Sequence, residues 1–409
     1  MPYSEEHCAR SRNDFPALAR THDGAPLAYL DGPGGSQVPN AVIRAMQDFY
    51  TCCNVNTRGN YPPSRELDRR ILEARRAAAA FLGAADANCI SFGQNMTTLS
   101  FALSRAIGRT LHAGDEIVIT QLDHEANRGP WSQLSDRGVV IREVRMTESG
   151  ELDPADMAAK ISSRTKVFAL GAASNALGTV NDLALARRLT KSVGALLVVD
   201  AVHYAPHFPI DVQALDADFL LCSGYKFYGP HVGILYSRPG ALERLPTERL
   251  DTQDSSAPYR IETGTLNHAA IDGLRAAILY LAGYGVGGDL RARLVDAMTG
   301  IGAYEHGLAA YLADAAAALP GVRVFGPPFA GRPRAPTVSV TLARHSAAQA
   351  ATLLGDAGIC VWDGDFYASR AIEVLGLAGS GGLLRSGISM YNTRAEIDRL
   401  LTGIAALVK

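Results

Sequence analysis

The first 280 residues alternate short, uninterrupted apolar runs with longer stretches in which apolar residues recur at helical spacing. The runs predict buried strands, because a strand covered on both faces of a parallel sheet carries apolar side chains continuously. Strands that alternate with helices indicate an α/β fold with a mostly parallel sheet. The strand candidates are EIVIT (116–120), KVFAL (166–170), ALLVVD (195–200), DFLLC (218–222) and GILYS (233–237).

One intervening stretch, residues 64–83, has a clear helical period. Ser64 is predicted to cap this helix and Gly83 to end it. The apolar stripe of the helix consists of Leu67, Ile71, Ala74, Ala78 and Phe81.

The pattern changes after about residue 285. GYGVGGDL (283–290) is glycine-rich and indicates a hinge or turn, and the helix and strand patterns beyond it indicate a smaller α+β domain. Those patterns are a helix at 303–319, strands at 322–326 and 337–342, and a final helix at 394–407. We therefore predict a large domain over 28–284, a small domain over 285–409, and an N-terminal segment, 1–27, associated with the small domain.

Composition and charge mainly exclude classes of partner and location. Lys and Arg number 39 against 41 Asp and Glu, and no long charge run occurs, so we predict neither nucleic acid nor an anionic membrane as partner. No window approaches the roughly 18 consecutive apolar residues of a membrane span. The N-terminus lacks the apolar core of a signal peptide, so we expect a cytoplasmic location.

The cysteines form no C-x-x-C pair, and most adjoin apolar residues. We interpret them as reduced thiols, mainly small core side chains, and predict no metal site. They are Cys8, Cys52, Cys53, Cys89, Cys222 and Cys360.

Three segments carry candidate chemistry where strands are predicted to end. Asp200 ends ALLVVD, Lys226 follows DFLLC, and GQNMTT (93–98) precedes a helical stretch. Ligand-binding residues of such sheets gather at the carboxyl ends of the strands, so all three can face one crevice. A lysine, a carboxylate and a helix N-terminus match the aldehyde, ring nitrogen and phosphate of pyridoxal phosphate, and His124 is a candidate for stacking on its ring.

Each of these residues, taken singly, also suits an ordinary structural role. Lys226 suits a surface loop, Asp200 a helix cap and His124 a hydrogen-bonded loop position. Arg385 suits one half of an ion pair.

The chain resembles the class V aminotransferase branch of the fold-type I pyridoxal phosphate enzymes, and most closely their cysteine desulfurase/selenocysteine lyase group. The resemblance runs in order from about residue 28 to 405. It is carried by AYLDGPGGSQVP, CNVNTRGNY, LDHEANRGPW, SNALGTVND, VVDAVHYAPHFPIDVQALDADF, SGYKFYGPHVGILY, RIETGTLN and LLRSGISMYNTRAEIDRL.

The resemblance implies a role for each matched residue. Lys226 would bond to the cofactor and shuttle the proton at Cα, and Asp200 would pair with the ring nitrogen. His124 would stack on the ring, Asn175 would hydrogen-bond the ring hydroxyl, and Arg385 would bind the substrate carboxylate.

The resemblance also implies a phosphate cup and a homodimer with shared active sites. Thr265 would reach the phosphate bound by the partner subunit. His203 stands where the family usually has glutamine. The residues at the cup positions are Gln94, Asn95, His203 and Ser223.

Two departures bear on the reaction. Desulfurases need a mobile nucleophilic cysteine in a small-domain loop, and the equivalent stretch here, 361–371, has Tyr367 about where that cysteine stands and Trp362 in place of an arginine. No cysteine follows Cys360. Tyr225 replaces the histidine that usually precedes the lysine, and tyrosine is the weaker acid at neutral pH.

These departures favour a β-elimination that needs no enzyme thiol. Such a C–S lyase would cleave a cysteine S-conjugate to a thiol, pyruvate and ammonia. Trp362, Phe366 and Tyr367 would line a site for a bulky S-substituent, as in lincosamide-type specialised pathways, unless they belong to the core of the small domain. The alternatives are decarboxylation with oxidative deamination, transamination, epimerisation, cysteine desulfuration as a less favoured reaction, and a non-catalytic scaffold.

Overall fold

The computed structural model describes residues 3–409, which form twelve α-helices and fifteen β-strands. The helices are α1 Glu5–Arg12, α2 Asn40–Cys52, α3 Pro62–Leu82, α4 Met96–Gly108, α5 Glu125–Ser132, α6 Pro154–Lys160, α7 Leu183–Val193, α8 His268–Ala282, α9 Leu290–Ala317, α10 Ala347–Asp356, α11 Ser369–Val374 and α12 Arg394–Val408. The strands are β1 Thr21–His22, β2 Ala25–Pro26, β3 Ala28–Tyr29, β4 Ile90–Gly93, β5 Glu116–Thr120, β6 Val140–Val144, β7 Thr165–Gly171, β8 Leu196–Asp200, β9 Phe219–Ser223, β10 Gly233–Ser237, β11 Val322–Phe325, β12 Thr337–Leu342, β13 Ile359–Cys360, β14 Trp362–Gly364 and β15 Leu383–Gly387.

The largest sheet has seven strands in the order β4-β10-β9-β8-β7-β5-β6. Six of these strands run in the same direction, and β10 runs opposite to them. Five of its strands lie within one residue of the predicted apolar runs, and the predicted α/β fold with a mostly parallel sheet is confirmed. Buried apolar side chains cover both faces of the sheet, which explains the continuous apolar runs.

Helix α3 follows the predicted period but begins earlier than predicted. Pro62 occupies its first turn, where the missing N–H of proline costs no hydrogen bond. The prediction that Ser64 caps this helix is wrong: its hydroxyl accepts from the Gly59 N–H at 2.7 Å and donates to the Asn56 carbonyl at 2.6 Å. The helix ends at Gly83, as predicted.

A second sheet, β11-β12-β15-β14, is antiparallel and packs with α9, α10 and α12 around a separate apolar cluster. Helix α9 starts thirteen residues before the predicted stretch, at Leu290, with the Asp289 carboxylate accepting from the Ala292 N–H at 2.7 Å. This region contains the elements predicted for the small domain, and the exact boundaries stay a prediction.

The N-terminal segment contacts the same region. Arg12 on α1 forms an ion pair with Glu396 on α12 at 3.0 Å, and the Pro26 carbonyl accepts from Arg399 at 2.8 Å. Just beyond this segment, β3 pairs in parallel with β13. Residues 1 and 2 of the predicted 1–27 segment lie outside the described residues. Within residues 3–409, no helix is long and apolar enough to cross a membrane.

A buried ion pair ties β4 to the segment before α8. The Arg75 guanidinium makes two hydrogen bonds to Glu262, at 2.6 and 2.7 Å, and both side chains are almost fully buried. Glu262 also accepts from the Phe92 N–H at 2.7 Å. Because β4 leads directly into α4, this pair fixes the start of that helix relative to the sheet.

We expect Glu262→Gln to lower the free energy of unfolding by about 3 kcal/mol, because it leaves a buried, unpaired guanidinium. The more exposed Arg69–Glu73 pair supplies the control. There, Glu73→Gln should cost no more than about 0.5 kcal/mol. Denaturant unfolding at one protein concentration and equal cofactor loading measures both, and equal losses in the two variants would contradict the role of the buried pair.

Candidate active site

The candidate residues lie at one edge of the large sheet. Asp200 ends β8, and Lys226 lies three residues beyond the end of β9. His124 follows β5, and Asn175 follows β7. Because these strands are parallel, their carboxyl ends meet at the same edge, as the sequence predicts.

A cavity of about 470 Å³, here the inner cavity, opens at this edge. Its size falls in the range of roughly 300–1,000 Å³ typical of small-molecule sites. Its lining residues are Asn95, Met96, Thr97, Thr98, Asp123, His124, Ala126, Gly171, Ala173, Asn175, Asp200, Val202, His203, Ser223, Tyr225, Lys226 and His231.

The Lys226 amine donates to the backbone carbonyls of Pro33 and Gly34, the latter at 3.2 Å. Burial, and next the positive charge of Arg385, lower the pKa of Lys226 to about 7, although Asp31 and Asp200 act in the opposite direction. A large fraction of the amine is therefore neutral, and nucleophilic, at neutral pH.

Asp200 presents a buried carboxylate to the inner cavity. One of its oxygens accepts from the Val202 N–H at 2.9 Å. Burial, together with the charge of the neighbouring Asp123, raises the pKa of Asp200 to about 7, although the Val202 N–H and Lys226 act in the opposite direction. A cationic ring nitrogen at this carboxylate would compensate its burial.

Asp123 is a second carboxylate in the inner cavity, and burial raises its pKa to about 6. It accepts from the Gly171 N–H and from the Asn127 amide, each at 3.0 Å. These bonds fix the end of β7 relative to the start of α5.

His124 caps α5 through its ring, because Nδ1 accepts from the Ala126 N–H at 2.9 Å. This contact places the ring proton of the neutral imidazole on Nε2. Burial, with the cations Lys226 and Arg385, lowers the pKa of His124 to about 4. The ring is therefore neutral at physiological pH, as stacking on a cofactor ring requires.

The N-terminus of α4 closes the other end of the inner cavity. Asn95 caps this helix by accepting from the Thr98 N–H at 2.9 Å, and the Ser223 hydroxyl accepts from the Met96 N–H at 2.9 Å. A side chain at Gly233 would place Cβ 2.4 Å from the Asn95 carbonyl carbon, so the close approach of β10 requires glycine. A helix N-terminus lined by threonine and asparagine suits a phosphate.

A second cavity of about 510 Å³, here the outer cavity, shares Lys226, His124 and Asn175 with the inner one. The Arg385 guanidinium is buried in its wall, where it donates to the Asn175 carbonyl at 3.2 Å and to the Asp31 carboxylate at 2.9 Å. The complete lining is Pro33, Gly34, Thr97, Phe101, His124, Glu125, Ala126, Asn175, Tyr225, Lys226, Trp362, Phe366, Tyr367 and Arg385.

The loop after β14 forms the aromatic wall of the outer cavity. The Phe366 ring lies 4.3 Å from the Arg385 guanidinium carbon, and its carbonyl accepts from the Asn175 amide at 2.8 Å. The Tyr367 carbonyl accepts from the Glu125 N–H at 2.7 Å. Trp362 is 52% and Tyr367 70% exposed, which argues against the alternative that these two are core residues. Phe366 is buried in an apolar cluster, as that alternative expects.

The remaining predicted residues are placed as follows. His203 lines the inner cavity, with Nε2 2.9 Å from the Thr337 hydroxyl, and Tyr225 stacks on His231 at 4.6 Å. Gln94 is exposed and lines neither cavity. Thr265 is exposed and lines a separate groove of about 740 Å³.

Sequence reasoning did not single out Asp31, Asp123 or His231. Asp123 could have been found, because it stands next to His124 just beyond a predicted strand. Asp31 carries no such signal, because its contact with Arg385 joins segments that are distant in sequence. His231 lies only six residues beyond Tyr225, on which it stacks.

The residues present fit pyridoxal phosphate. Asn175 lines the cavity, and its buried Oδ1 atom has no hydrogen-bond partner among residues 3–409, so the side chain has an acceptor available for a ring hydroxyl. A lysine of lowered pKa, a buried carboxylate and a helix N-terminus complete the set that this cofactor requires. Fold and site together define a fold-type I pyridoxal phosphate enzyme.

Residues 28–400 match the family described as Aminotransferase class-V, and the chain belongs to this family. It is 33% identical to a cysteine desulfurase of Serratia proteamaculans over 98% of each chain, and 34% identical to one of Dickeya dadantii over 99% of this chain and 98% of the relative. The chain is thus a pyridoxal phosphate-dependent enzyme similar to cysteine desulfurases, which are carbon–sulfur lyases.

Solved structures agree with this assignment. The cysteine desulfurase CsdA from Escherichia coli superposes with a TM-score of 0.84 at 29% identity, covering 98% of each chain. The apo cysteine desulfurase from Thermococcus onnurineus NA1 gives a TM-score of 0.88 at 27% identity, covering all of this chain and 98% of that one.

The lowered pKa of Lys226 makes a kinetic prediction. The rate at which cofactor-free protein captures pyridoxal phosphate should rise with pH up to about 7 to 8 and then level off, because the amine is already neutral there. An ordinary lysine would keep gaining neutral amine until about pH 10.4. Stopped-flow absorbance measures the rate, Lys226→Ala supplies the blank, and a rate still rising tenfold per pH unit above pH 8 would contradict the lowered value.

Proposed function

We propose that this enzyme catalyses β-elimination on a cysteine S-conjugate and releases a thiol, pyruvate and ammonia. The observation that carries the proposal is the outer cavity, which adjoins Lys226 and Arg385 and is walled by aromatic side chains. No cysteine is among its described lining residues, and no cysteine follows Cys360 in the sequence.

Arg385 is the proposed site for the α-carboxylate of the substrate. Its guanidinium is fixed by the Asn175 carbonyl and lies under the Phe366 ring, so its orientation is set before a substrate binds. A planar guanidinium binds a carboxylate with two parallel hydrogen bonds and so orients the amino acid as well as holding it. In this orientation the side chain of the amino acid extends into the outer cavity.

Lys226 is the proposed acid–base group at Cα. Pyridoxal phosphate, when bound, withdraws electrons from Cα and so acidifies its proton. With a pKa of about 7, the Lys226 amine accepts that proton at neutral pH and can return it. Asp200 and His124 hold the cofactor ring at its nitrogen and its face.

The elimination balances without an enzyme thiol. The Cα–H bond breaks and its proton moves to Lys226, and the Cβ–S bond breaks with its electron pair leaving on sulfur. The thiolate then takes a proton and departs as a thiol. The three-carbon product is aminoacrylate, which water hydrolyses to pyruvate and ammonia.

The aromatic wall supports a conjugate rather than free cysteine as substrate. The resemblance implies that desulfurases accept sulfur on a cysteine of this loop and that Tyr367 stands about at its place. The Tyr367 side chain is largely exposed and lines the outer cavity. Trp362 and Tyr367 offer ring faces to a large S-substituent, and such faces bury more apolar area than free cysteine needs. The link to lincosamide-type pathways and the cytoplasmic location stay predictions.

The proposal is tested by incubating the holoenzyme with S-phenyl-L-cysteine, S-methyl-L-cysteine and L-cysteine. Thiol and pyruvate should form in equal amounts from the phenyl conjugate, with a lower kcat/KM for the methyl conjugate. Lys226→Ala is the matched control and should release neither. An aldehyde with carbon dioxide, an epimerised amino acid, or protein-bound persulfide from L-cysteine would overturn elimination in favour of the alternatives.

We also propose that the enzyme is a homodimer whose sites are completed across the interface. Thr265, implied to reach the partner's phosphate, is exposed together with Gly264 in a groove that also contains Arg58. Exposed apolar side chains occur on the nearby helices α2, α3 and α8, at Ile43, Tyr50, Leu72 and Leu279. This distribution is typical of a surface that a second copy covers.

The dimer makes a direct prediction about mass and cofactor affinity. Light scattering of the holoenzyme should give twice the chain mass of 43.4 kDa. Thr265→Ala should weaken cofactor binding about tenfold, by removing one hydrogen bond to a charged group. A monomer with full affinity for the cofactor would contradict shared sites, and Thr263→Ala is the neighbouring control.

A further inference from the structure

The turn Asp31–Gly35, here the DGPGG turn, engages both cations of the active site. Asp31 accepts from Arg385 Nη2 at 2.9 Å, while the carbonyls of Pro33 and Gly34 accept from the Lys226 amine. One short segment therefore holds the lysine and the arginine on which the proposed reaction depends.

The backbone fixes this arrangement. Asp31 forms a parallel bridge with Gly387, and the Gly387 N–H donates to the Leu30 carbonyl at 2.8 Å. Asp31 thereby lies opposite Gly387 on β15, and Gly387 is two residues after Arg385 in the sequence. Burial raises the pKa of Asp31 while Arg385 opposes it most strongly, so the pair compensates two charges that would otherwise be costly in this cleft.

The Arg385 guanidinium has one N–H donor, at Nε, that is not used in its contacts with Asp31 and Asn175. Nη2 donates to Asp31 and Nη1 to the Asn175 carbonyl, but the buried Nε has no hydrogen-bond partner within the described chain. Nε and Nη2 form the side of the guanidinium that binds a carboxylate with two prongs. Asp31 occupies one prong only, so a carboxylate that takes both has an advantage over it.

We propose that, in the free enzyme, the Asp31 carboxylate occupies the position on Arg385 that the substrate α-carboxylate takes. Asp31 is displaced from Arg385 when an amino acid binds. This inference rests on the proposed role of Arg385 in carboxylate binding. Displacing Asp31 costs the free energy of its ion pair with Arg385, and only a ligand with an α-carboxylate can replace that pair. A ligand without one leaves the Asp31–Arg385 pair intact and gains no binding free energy from Arg385. Asp31 thus selects for amino acids over the corresponding amines.

The glycines of the turn allow the carboxylate its position. A side chain at Gly34 would place Cβ 2.1 Å from Asp31 Oδ2. Replacing Gly34 by alanine should therefore move the Asp31 carboxylate away from Arg385 without changing its charge. This gives a second variant that perturbs the same contact by a different physical route.

The test is equilibrium binding to the holoenzyme, followed by the absorbance of the bound cofactor. The probes are L-alanine, which carries no leaving group at Cβ, and ethylamine, which lacks the carboxylate. If Asp31 occupies Arg385 in about nine of ten free molecules, Asp31→Asn should lower the Kd of L-alanine about tenfold. The Kd of ethylamine should stay unchanged, and Gly34→Ala should act in the same direction as Asp31→Asn.

Asp363→Asn is the matched control. It removes one negative charge from β14, the neighbour of β15, and Asp363 forms no ion pair with any residue in 3–409. Its Kd for L-alanine should match that of the wild type. Asp31→Glu, which keeps the charge, should keep the competition and serves as the conservative rescue.

Two results would overturn the inference. One is a Kd for L-alanine that is unchanged or higher in Asp31→Asn with the cofactor fully bound, as a merely structural Asp31 would give. The other is a Kd that Arg385→Lys leaves unchanged, because Arg385 would then not bind the carboxylate. Failure of the proposed elimination is seen separately, as absence of thiol and pyruvate from S-conjugates in the wild type, and leaves these binding constants untouched.

Discussion

Burial of the Lys226 amine beside the Arg385 guanidinium is the constraint on which the rest of the active site depends. Two cations in one cleft repel each other and lose hydration, so the pKa of the lysine falls to about 7. That fall supplies a neutral amine at neutral pH. The carboxylates of Asp31 and Asp200 limit this fall, and without Asp31 the arginine would also lack a charged partner.

The relative positions of these charged groups depend on contacts between the seven-stranded sheet region and the four-stranded sheet region. Arg334 is buried and donates to the carbonyls of Leu177 and Phe325 at 3.1 and 3.0 Å, with the Phe329 ring 4.1 Å from its guanidinium carbon. It thereby fixes the loop that carries Asn175 against β11 and the loop that precedes β12. Because the Asn175 carbonyl accepts from Arg385, the position of the proposed carboxylate site depends on this contact.

The loop after β14 connects the same framework to the proposed specificity. Its backbone carbonyls bind Asn175 and Glu125, so the aromatic wall is held by the residues that approach the cofactor cavity. Phe366 and Tyr367 have φ values of 58° and 57°, a left-handed conformation that is uncommon for aromatic residues. The loop is thus shaped to present rings at the cavity.

The sequence by itself determined the fold class and placed Asp200, Lys226 and GQNMTT at one edge of the sheet, because buried parallel strands leave continuous apolar runs and their carboxyl ends must share an edge. The family resemblance in the sequence implied the cofactor and the roles of Asn175, His203 and Ser223. It did not determine the start of α3, because Ser64 and Pro62 both suit a helix terminus and only the contacts of Ser64 with Gly59 and Asn56 decide between them. The position of Asp31 next to Arg385 was decided by the tertiary structure alone. Those two residues are 354 positions apart, and the physical reason is that only the bridge between Asp31 and Gly387 of β15 brings the two charges within 2.9 Å.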